Sequence, residues 1–312
     1  MRYVLRRIGT AVLTLLVASV FVFGALLLVP GDAAQAILGM EASPEALAAV
    51  RERLGLDRPP LTRYATWAGR ALRGDLGVSI RYDRPVASLV ASSLGVTLPL
   101  VGLSAALALV IALPIGALAA MRRGSALDMP VVALSQIGLA VPTFWLGLLL
   151  ILVFGVRLGW LPTTGFVRWS ESPVDALRSL VLPVLALGLG QAAILTRVVR
   201  ASLLEVLGQD FVRTARAKGL PERAVLIRHA LRAALLAIVT VAGSLFGQLL
   251  AGAIVVESVF ALPAMGRLAL TAVEARDFPL VQGIVLALAA VIVAVNLAID
   301  LLYGWLDPRA RS

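Results

Sequence analysis

Few residues in this chain could do covalent chemistry. Among its 312 residues there is no cysteine, and His229 and Lys218 are the one histidine and the one lysine. Thiolate metal sites and cysteine nucleophiles are therefore excluded. One histidine cannot write an HExxH zinc helix, and it confines any Ser-His pairing to a single place. Lys218 is followed by Gly219 rather than Ser or Thr, so it cannot be a phosphate-loop lysine. If ATP drives this protein, another chain binds it. The distinctive cluster is basic: Arg213, Arg216, Lys218, Arg223, Arg228 and Arg232 surround the turn sequence Gly219-Leu220-Pro221. The helical pattern before it runs through Leu207, breaks at Gly208 and resumes with Phe211, Ala215, Leu220, Val225 and Leu226. Two short helices joined by a glycine turn are expected here.

The elements that position this cluster are set by composition. Hydrophobic residues make up 60%, charged residues 15%, and the mean hydropathy is +0.95. Soluble domains run near roughly 45–50% and 25%, so water is not the solvent for most of this chain. A bilayer core of about 30 Å needs about 20 apolar residues as a helix. Six uncharged stretches meet or approach that length: Ile8–Gly31, Pro85–Met121, Met129–Val156, Ser179–Thr196, Ala233–Val256 and Phe278–Ile299. The expected architecture is an all-α integral membrane protein with six transmembrane helices. Kinks are expected at Pro99, Pro114, Pro142 and Pro183, which neighbouring helices can tolerate. The first apolar run, Ile8–Val29, is too long for a signal-peptide core despite Ala34-Gln35-Ala36, and reads as a retained anchor.

Orientation follows from the basic residues. With the N-terminus inside, the inner segments hold fifteen Lys and Arg; the outer short loops hold five once the long 51–84 loop is set aside. Both termini are then cytoplasmic. The net charge of +10 becomes a topology signal, and nucleic acid is not an expected partner. Three parts are expected: 1–31, an N-terminal segment with the first span; 32–93, an outer loop subdomain; and 94–312, the remaining spans with the inner loop 197–232. The outer part carries amphipathic runs at Pro44–Leu54 and Leu61–Leu72, the second with Leu61, Tyr64, Ala65, Ala68 and Leu72 on one face. That face either packs on the bundle or docks an external partner.

Two readings of the basic inner loop stand side by side. Its arginines could form a snorkelling, lipid-facing surface, or its bend could present a short helix end-on to a partner's groove. Elsewhere, His229 reads as a packing or interface hydrogen-bonding residue, or as a pH switch. Asp300, four residues after Asn296, is a polar pair near a helix end or a functional acid. Glu257 is an outer cap, or a gate. Gly243 and Gly247, continued by Ala251, form a GxxxG face suited to close helix packing, within the chain or against a second membrane subunit. Gln136, Gln191 and Gln248 are the polar groups expected to face a pathway. The span centres carry almost no charge and show no obvious broken-helix pair, which disfavours an ion-coupled secondary transporter. A membrane enzyme would lack any constellation of nucleophile, base and metal ligands, and a purely structural membrane assembly subunit would not need so elaborate an inner loop.

The inner loop resembles the cytoplasmic signature of membrane permease subunits of binding-protein-dependent ABC importers, EAA-x3-G-x9-I-x-LP. Arg213, Thr214 and Ala215 stand at the EAA positions, Gly219 at the glycine, His229 at the isoleucine, Leu231 at the leucine and Arg232 at the proline. The departures look like the dipeptide, oligopeptide and nickel branch, in which the element reads much like Asp210-Phe-Val-Arg-Thr-Ala-Arg-Ala-Lys-Gly219 followed by Arg228-His-Ala-Leu-Arg232. Further matches cover nearly the whole chain: Tyr3 to Arg7, Pro30-Gly31-Asp32, Leu54-Gly-Leu-Asp57 leading to Pro59 and Tyr64, Gly74-Asp-Leu-Gly77 with Ser79, Pro142-Thr-Phe144, Glu257-Ser-Val-Phe260, Arg276-Asp-Phe-Pro279, Asn296 with Asp300, and Leu306-Asp-Pro-Arg309. One departure is Pro263-Ala-Met-Gly266, where the family usually has Pro-Gly-x-Gly.

The resemblance implies a type I importer permease fold in a prokaryotic plasma (inner) membrane, with a cytoplasmic coupling helix. It further implies a second homologous permease subunit, two cytoplasmic ABC ATPases that receive the coupling helices, and an extracytoplasmic solute-binding protein. This chain would bind no cofactor, ATP and Mg staying on the ATPases. Its coupling residues would be Arg213, Thr214, Ala215, Arg216, Lys218, Gly219, His229 and Leu231. It would transmit force rather than catalyse, and carry peptides, glutathione, a nickel complex or a related solute.

Overall fold

The computed structural model describes residues 2–28, 43–45, 47–48, 57–126 and 128–306. Its helices are α1 (Arg2–Leu28), α2 (Pro60–Ala71), α3 (Val86–Met121), α4 (Asp128–Ala140), α5 (Thr143–Leu150), α6 (Pro173–Leu207), α7 (Asp210–Ala217), α8 (Glu222–Ala224), α9 (Leu231–Val259), α10 (Met265–Glu274) and α11 (Phe278–Leu306). π-helical turns at Ile151–Arg157 and Val225–Ala230 extend α5 and join α8 to α9. Among the described residues there is no strand beyond an isolated Val78–Pro85 bridge. Most of the amphipathic run at 44–54, and motif positions 30–32, 54–56 and 307–309, lie outside the described residues.

Among the described residues five helices are long and apolar enough to cross a membrane, and a further segment is a bent pair: α4 and the α5 segment meet at 98°. The bend corrects the expectation of a merely kinked third span and of no broken helix. Its cause is Pro142, which lacks an N–H and sits in an extended conformation (φ −64°, ψ 137°), so the ladder stops at Val141 and restarts at Thr143. Pro99, Pro114 and Pro183 stay inside continuous helices. α6 outruns the expected Ser179–Thr196 at both ends. It begins at a Ser172 cap, whose hydroxyl oxygen accepts from the Asp175 N–H, with Pro173 in the first turn. Its charged ends project the helix past the uncharged stretch, to about 50 Å at 1.5 Å per residue.

The chain divides into two compact units: residues 1–96 with 263–297, and residues 97–262 with 298–312. In the first, Val86, Leu89, Val90, Met265, Ala272, Leu280 and Ile284 form the core. α2 packs on α1 through Tyr64 and Trp67, whose rings lie 5.5 and 6.1 Å from Phe23, while the Tyr64 hydroxyl meets Ser19 at 2.9 Å. The face of α2 turned inward therefore runs through Tyr64, Trp67 and Ala68, and the expected Leu61 and Leu72 are exposed. In the second unit α6 is central, with α4, α5 and α9 against it. Packing there depends on small residues, as helix association in lipid requires. A Cβ on Gly116 of α3 would stand 2.8 Å from the Thr196 carbonyl of α6, and one on Gly188 of α6 would stand 3.0 Å from the Ser104 carbonyl of α3.

Candidate functional site: the α7 element at the end of α6

α7 is a two-turn helix held to the body by one face. Val212 and Ala215 are buried with Leu203 and Val206 of α6, Val225 and Ala230 of the π-turn, and Ala234 of α9. The remainder of α7 faces outward. Arg213, Thr214, Arg216 and Lys218 are exposed, as are Phe211 (42%) and Leu220 (37%). Of the apolar pattern, Phe211 and Leu220 stand exposed, while Val212 is buried with Ala215. α7 and its turn thus expose an aromatic and a leucine along with four basic or polar groups.

Gly219 ends α7 in a left-handed conformation, φ +77°. Its N–H donates to the Arg216 carbonyl (2.9 Å) and the Leu220 N–H donates to Ala215 (3.4 Å), the two bonds of a Schellman cap. A Cβ on Gly219 would meet nothing within 4 Å. The glycine is therefore needed for its backbone angle, and the space over it is open. Pro221 is extended (ψ 144°) and starts α8, so the chain reverses within three residues. The Arg216 guanidinium bridges back to Glu222 through Nε–Oε1 (2.7 Å) and Nη2–Oε2 (3.2 Å). That hydrogen-bonded carboxylate raises the arginine's already high pKa further. Arg213 reaches Asp210 at 3.4 Å, and the Thr214 hydroxyl donates to the Asp210 carbonyl. The segment after the turn is not a separate short helix: Glu222 onward runs as one apolar helical span to Val259, with the π-turn included. His229 lies half-buried in that turn, and Leu231 packs against the α6–α9 core.

The other expected residues fall elsewhere. Gln136 on α4 and Gln248 on α9 are exposed, whereas Gln191 on α6 is half-buried with an Oε1 that has no hydrogen-bond partner. Gly243 lies against Ile299, where a Cβ would come within 2.5 Å, but Gly247 touches nothing within 4 Å. The GxxxG face is thus half used inside this chain. On α11, Asn296 is exposed and Asp300 is half-buried.

Sequence reasoning missed three buried carboxylate partnerships. Asp128 at the start of α4 receives a fork from Arg200 of α6, Nε–Oδ1 and Nη2–Oδ2 both 2.7 Å, and a third bond from the Gly124 N–H at 3.0 Å. Glu257 is fully buried and accepts from the Thr97 hydroxyl at 2.7 Å. Asp277, also fully buried, accepts from the Ser79 hydroxyl (2.5 Å) and the Arg81 N–H (3.1 Å), and caps α11 through the Leu280 N–H (3.1 Å). The motif pairs Gly74–Ser79 and Arg276–Pro279 thereby meet at one carboxylate. Ala264, the departure from the usual glycine, is extended at φ −123°, a conformation open to any residue, so the outer turn survives the change.

The family model for the binding-protein-dependent transport system inner membrane component matches residues 112–312, and its N-terminal companion matches residues 1–101. The dipeptide transport system permease protein DppB of Escherichia coli K12 is 37% identical over 335 aligned residues, covering 100% of this chain and 99% of that one. A Brucella suis biovar 1 protein with a provisional peptide transport system permease name is 42% identical over 308 residues, 99% of this chain and 98% of the relative. Among solved structures, the inward-facing MetNI methionine ABC transporter matches with a TM-score of 0.56 at 21% identity, over 70% of this chain and 96% of that one. That likeness carries the all-helical type I permease fold. With both family models and full-length relatives in agreement, the chain belongs to the binding-protein-dependent transport system inner membrane components, and is a multi-pass inner-membrane permease subunit of an ABC importer.

Proposed function

We propose that this chain forms half of the translocation pathway of an ATP-driven peptide importer and couples to a cytoplasmic ATPase through α7. The single observation that carries the coupling role is the α7 surface: exposed Phe211 and Leu220 along with Arg213, Thr214, Arg216 and Lys218, ended by Gly219 over open space. A helix anchored on one side by Val212 and Ala215 and exposed on the other can be gripped by a groove and moved as a unit. Ala215 and Leu231 then serve as anchors, His229 as support in the π-turn, and the exposed residues as the contact. A lipid-facing basic surface would need no Schellman-capped reversal.

The peptide substrate is supported by the names of DppB and the Brucella relative. In this reading the chain crosses the membrane six times, the bent α4–α5 pair counting as one crossing, with both termini and α7 in the cytoplasm; the five long helices among the described residues and the fifteen-to-five basic bias support it. A second permease subunit completes the pathway, a solute-binding protein delivers the peptide outside, and this chain itself binds no nucleotide, ATP and Mg belonging to the ATPases. Gln136, Gln191 and Gln248 face the pathway. The test is uptake of a labelled dipeptide into proteoliposomes holding both permeases and both ATPases, with binding protein outside the cytoplasmic face. Uptake that requires ATP and every subunit supports the function. Uptake by the permeases alone under an ion gradient refutes it in favour of a secondary carrier.

A further inference from the structure

Outside the α7 surface, the strongest polar constellation in the second unit is the fork between Arg200 and Asp128. The two residues are 72 positions apart, with side chains only 22% and 8% exposed. Both carboxylate oxygens are used: Oδ1 by Nε, and Oδ2 by Nη2 and by the Gly124 N–H. Gly124 is left-handed at φ +76°, in a turn that the Ser125 N–H to Arg122 carbonyl bond and the Asp128 N–H to Ser125 carbonyl bond also fix. The α3–α4 turn and the start of α4 are thus fastened to α6 at one point. A bidentate guanidinium–carboxylate pair fixes distance and plane together, which a single hydrogen bond or apolar contact does not.

The position along α6 gives the fork its meaning. Leu203, one turn beyond Arg200, and Val206, a further turn on, belong to the core that holds Val212 and Ala215 of α7, and Val199 and Leu195 continue that core along α6 past Arg200. At its other end α4 reaches the 98° break at Pro142. From α7 inward, the order is therefore α7, the Leu203 and Val206 patch, Arg200, Asp128, α4 and the broken segment.

We propose that Arg200 and Asp128 are positioning residues for transport: they clasp α4 to the helix that carries α7, so that a displacement of α7 is delivered to the broken α4–α5 segment. The clasp rests on the docking role of α7 proposed above. Neither residue touches substrate or nucleotide. If the clasp opens, α7 still docks and the ATPases still turn over, but the movement of α6 is no longer imposed on α4.

Three variants separate this role from simple stabilisation: Asp128→Asn, Arg200→Gln and the double D128N/R200Q. Each single change leaves a partly buried charge without its counter-charge, so both singles should lower the amount of folded complex. The double removes both charges and keeps similar shapes, so its thermal unfolding in detergent should return toward wild type. The reconstituted complex is then assayed for ATP hydrolysis and labelled-dipeptide uptake together. The expected result is a stable double variant that co-purifies with its ATPases and hydrolyses ATP, yet moves at least tenfold less peptide per ATP. A stable double variant with wild-type peptide per ATP overturns the clasp, leaving the pair a structural one. A double variant that stays unstable also overturns it, because uncompensated charge would not then explain the single-variant losses. Failure of the docking role is seen separately, in a wild-type chain that does not co-purify with ATPases.

Discussion

Replacing Gly219 separates the backbone of the α7 element from whatever lies over it. The residue sits at φ +77°, where an L side chain costs roughly 1–2 kcal/mol. No atom lies within 4 Å of a Cβ there, so within this chain alanine and leucine carry the same cost, the backbone one. A cost of that size lowers the population of the intact Schellman turn by about 5- to 30-fold relative to its unravelled forms. Asparagine tolerates the left-handed region and should keep the turn nearly at the glycine level. The isolated chain should therefore rank glycine, then asparagine, then alanine and leucine together. The complex should rank differently. If a groove closes over Gly219, leucine must fall below alanine by an interface-sized amount, about 2 kcal/mol or more, through steric exclusion alone. The assay is the ratio of ATPase to permease after affinity purification, followed by dipeptide uptake per ATP. Gly219→Leu should lose both by at least an order of magnitude, with Gly219→Ala intermediate and Gly219→Asn near wild type for the turn itself. Leucine and alanine variants that assemble and transport alike, at the wild-type rate, would refute a groove over this turn.

Other expectations follow from the same coordinates. Reversing Arg213 and Arg216 to Glu should hardly change the stability of the chain, because exposed ion pairs are worth about 0–1 kcal/mol each. ATPase assembly should nevertheless weaken, by a margin that is largest at low salt and shrinks as salt is added. Asp277→Asn should loosen the 79–84 loop by about 1–3 kcal/mol, since the carboxylate's bonds from Ser79 and Arg81 are weakened, and amide exchange at Arg81 and Tyr82 reads it; unchanged protection there would count against it. Ala264→Gly should give no gain in thermal stability, because φ −123° already suits alanine; a clear gain would mean the turn is strained. For orientation, single cysteines at Tyr82 and Glu171 should label with an impermeant reagent in intact cells, and those at Arg123 and Lys218 should not. The reverse pattern inverts the topology.

What the sequence made legible was local. Uncharged length located the spans, and Gly208 and Gly219 marked both ends of α7 to within two residues, Gly219 through its left-handed backbone. Length of uncharged run failed where charges continue a helix, so α6 and the segment from Glu222 to Val259 came out too short. Proline signalled a perturbation at Pro99, Pro114, Pro142 and Pro183 alike, yet only at Pro142 does the chain turn. The difference lies in what surrounds each proline, since neighbouring helices decide whether the freed carbonyls find partners. The candidate site was legible as a position but not as a surface: of one apolar pattern Ala215 and Val225 are buried while Phe211 and Leu220 are exposed, and an eight-residue helix is too short for periodicity to assign its faces. The pairs Asp128 with Arg200, Thr97 with Glu257, and Ser79 with Asp277 are separated by 72, 160 and 198 residues. Such contacts are made by tertiary packing, and no spacing rule reaches that far.

The coupling role of α7 meets its most direct test in a site-specific cross-link. A single cysteine at Lys218, in a chain that otherwise has none, carries a short photoactivatable group, and the full complex is irradiated in membranes with and without ATP. The expected product joins this chain to an ATPase subunit, in a yield that changes with nucleotide, while the same group at Tyr82 gives no ATPase adduct. A transport-competent complex in which the Lys218 probe captures lipid and never an ATPase would contradict the coupling role and return the basic element to the membrane surface.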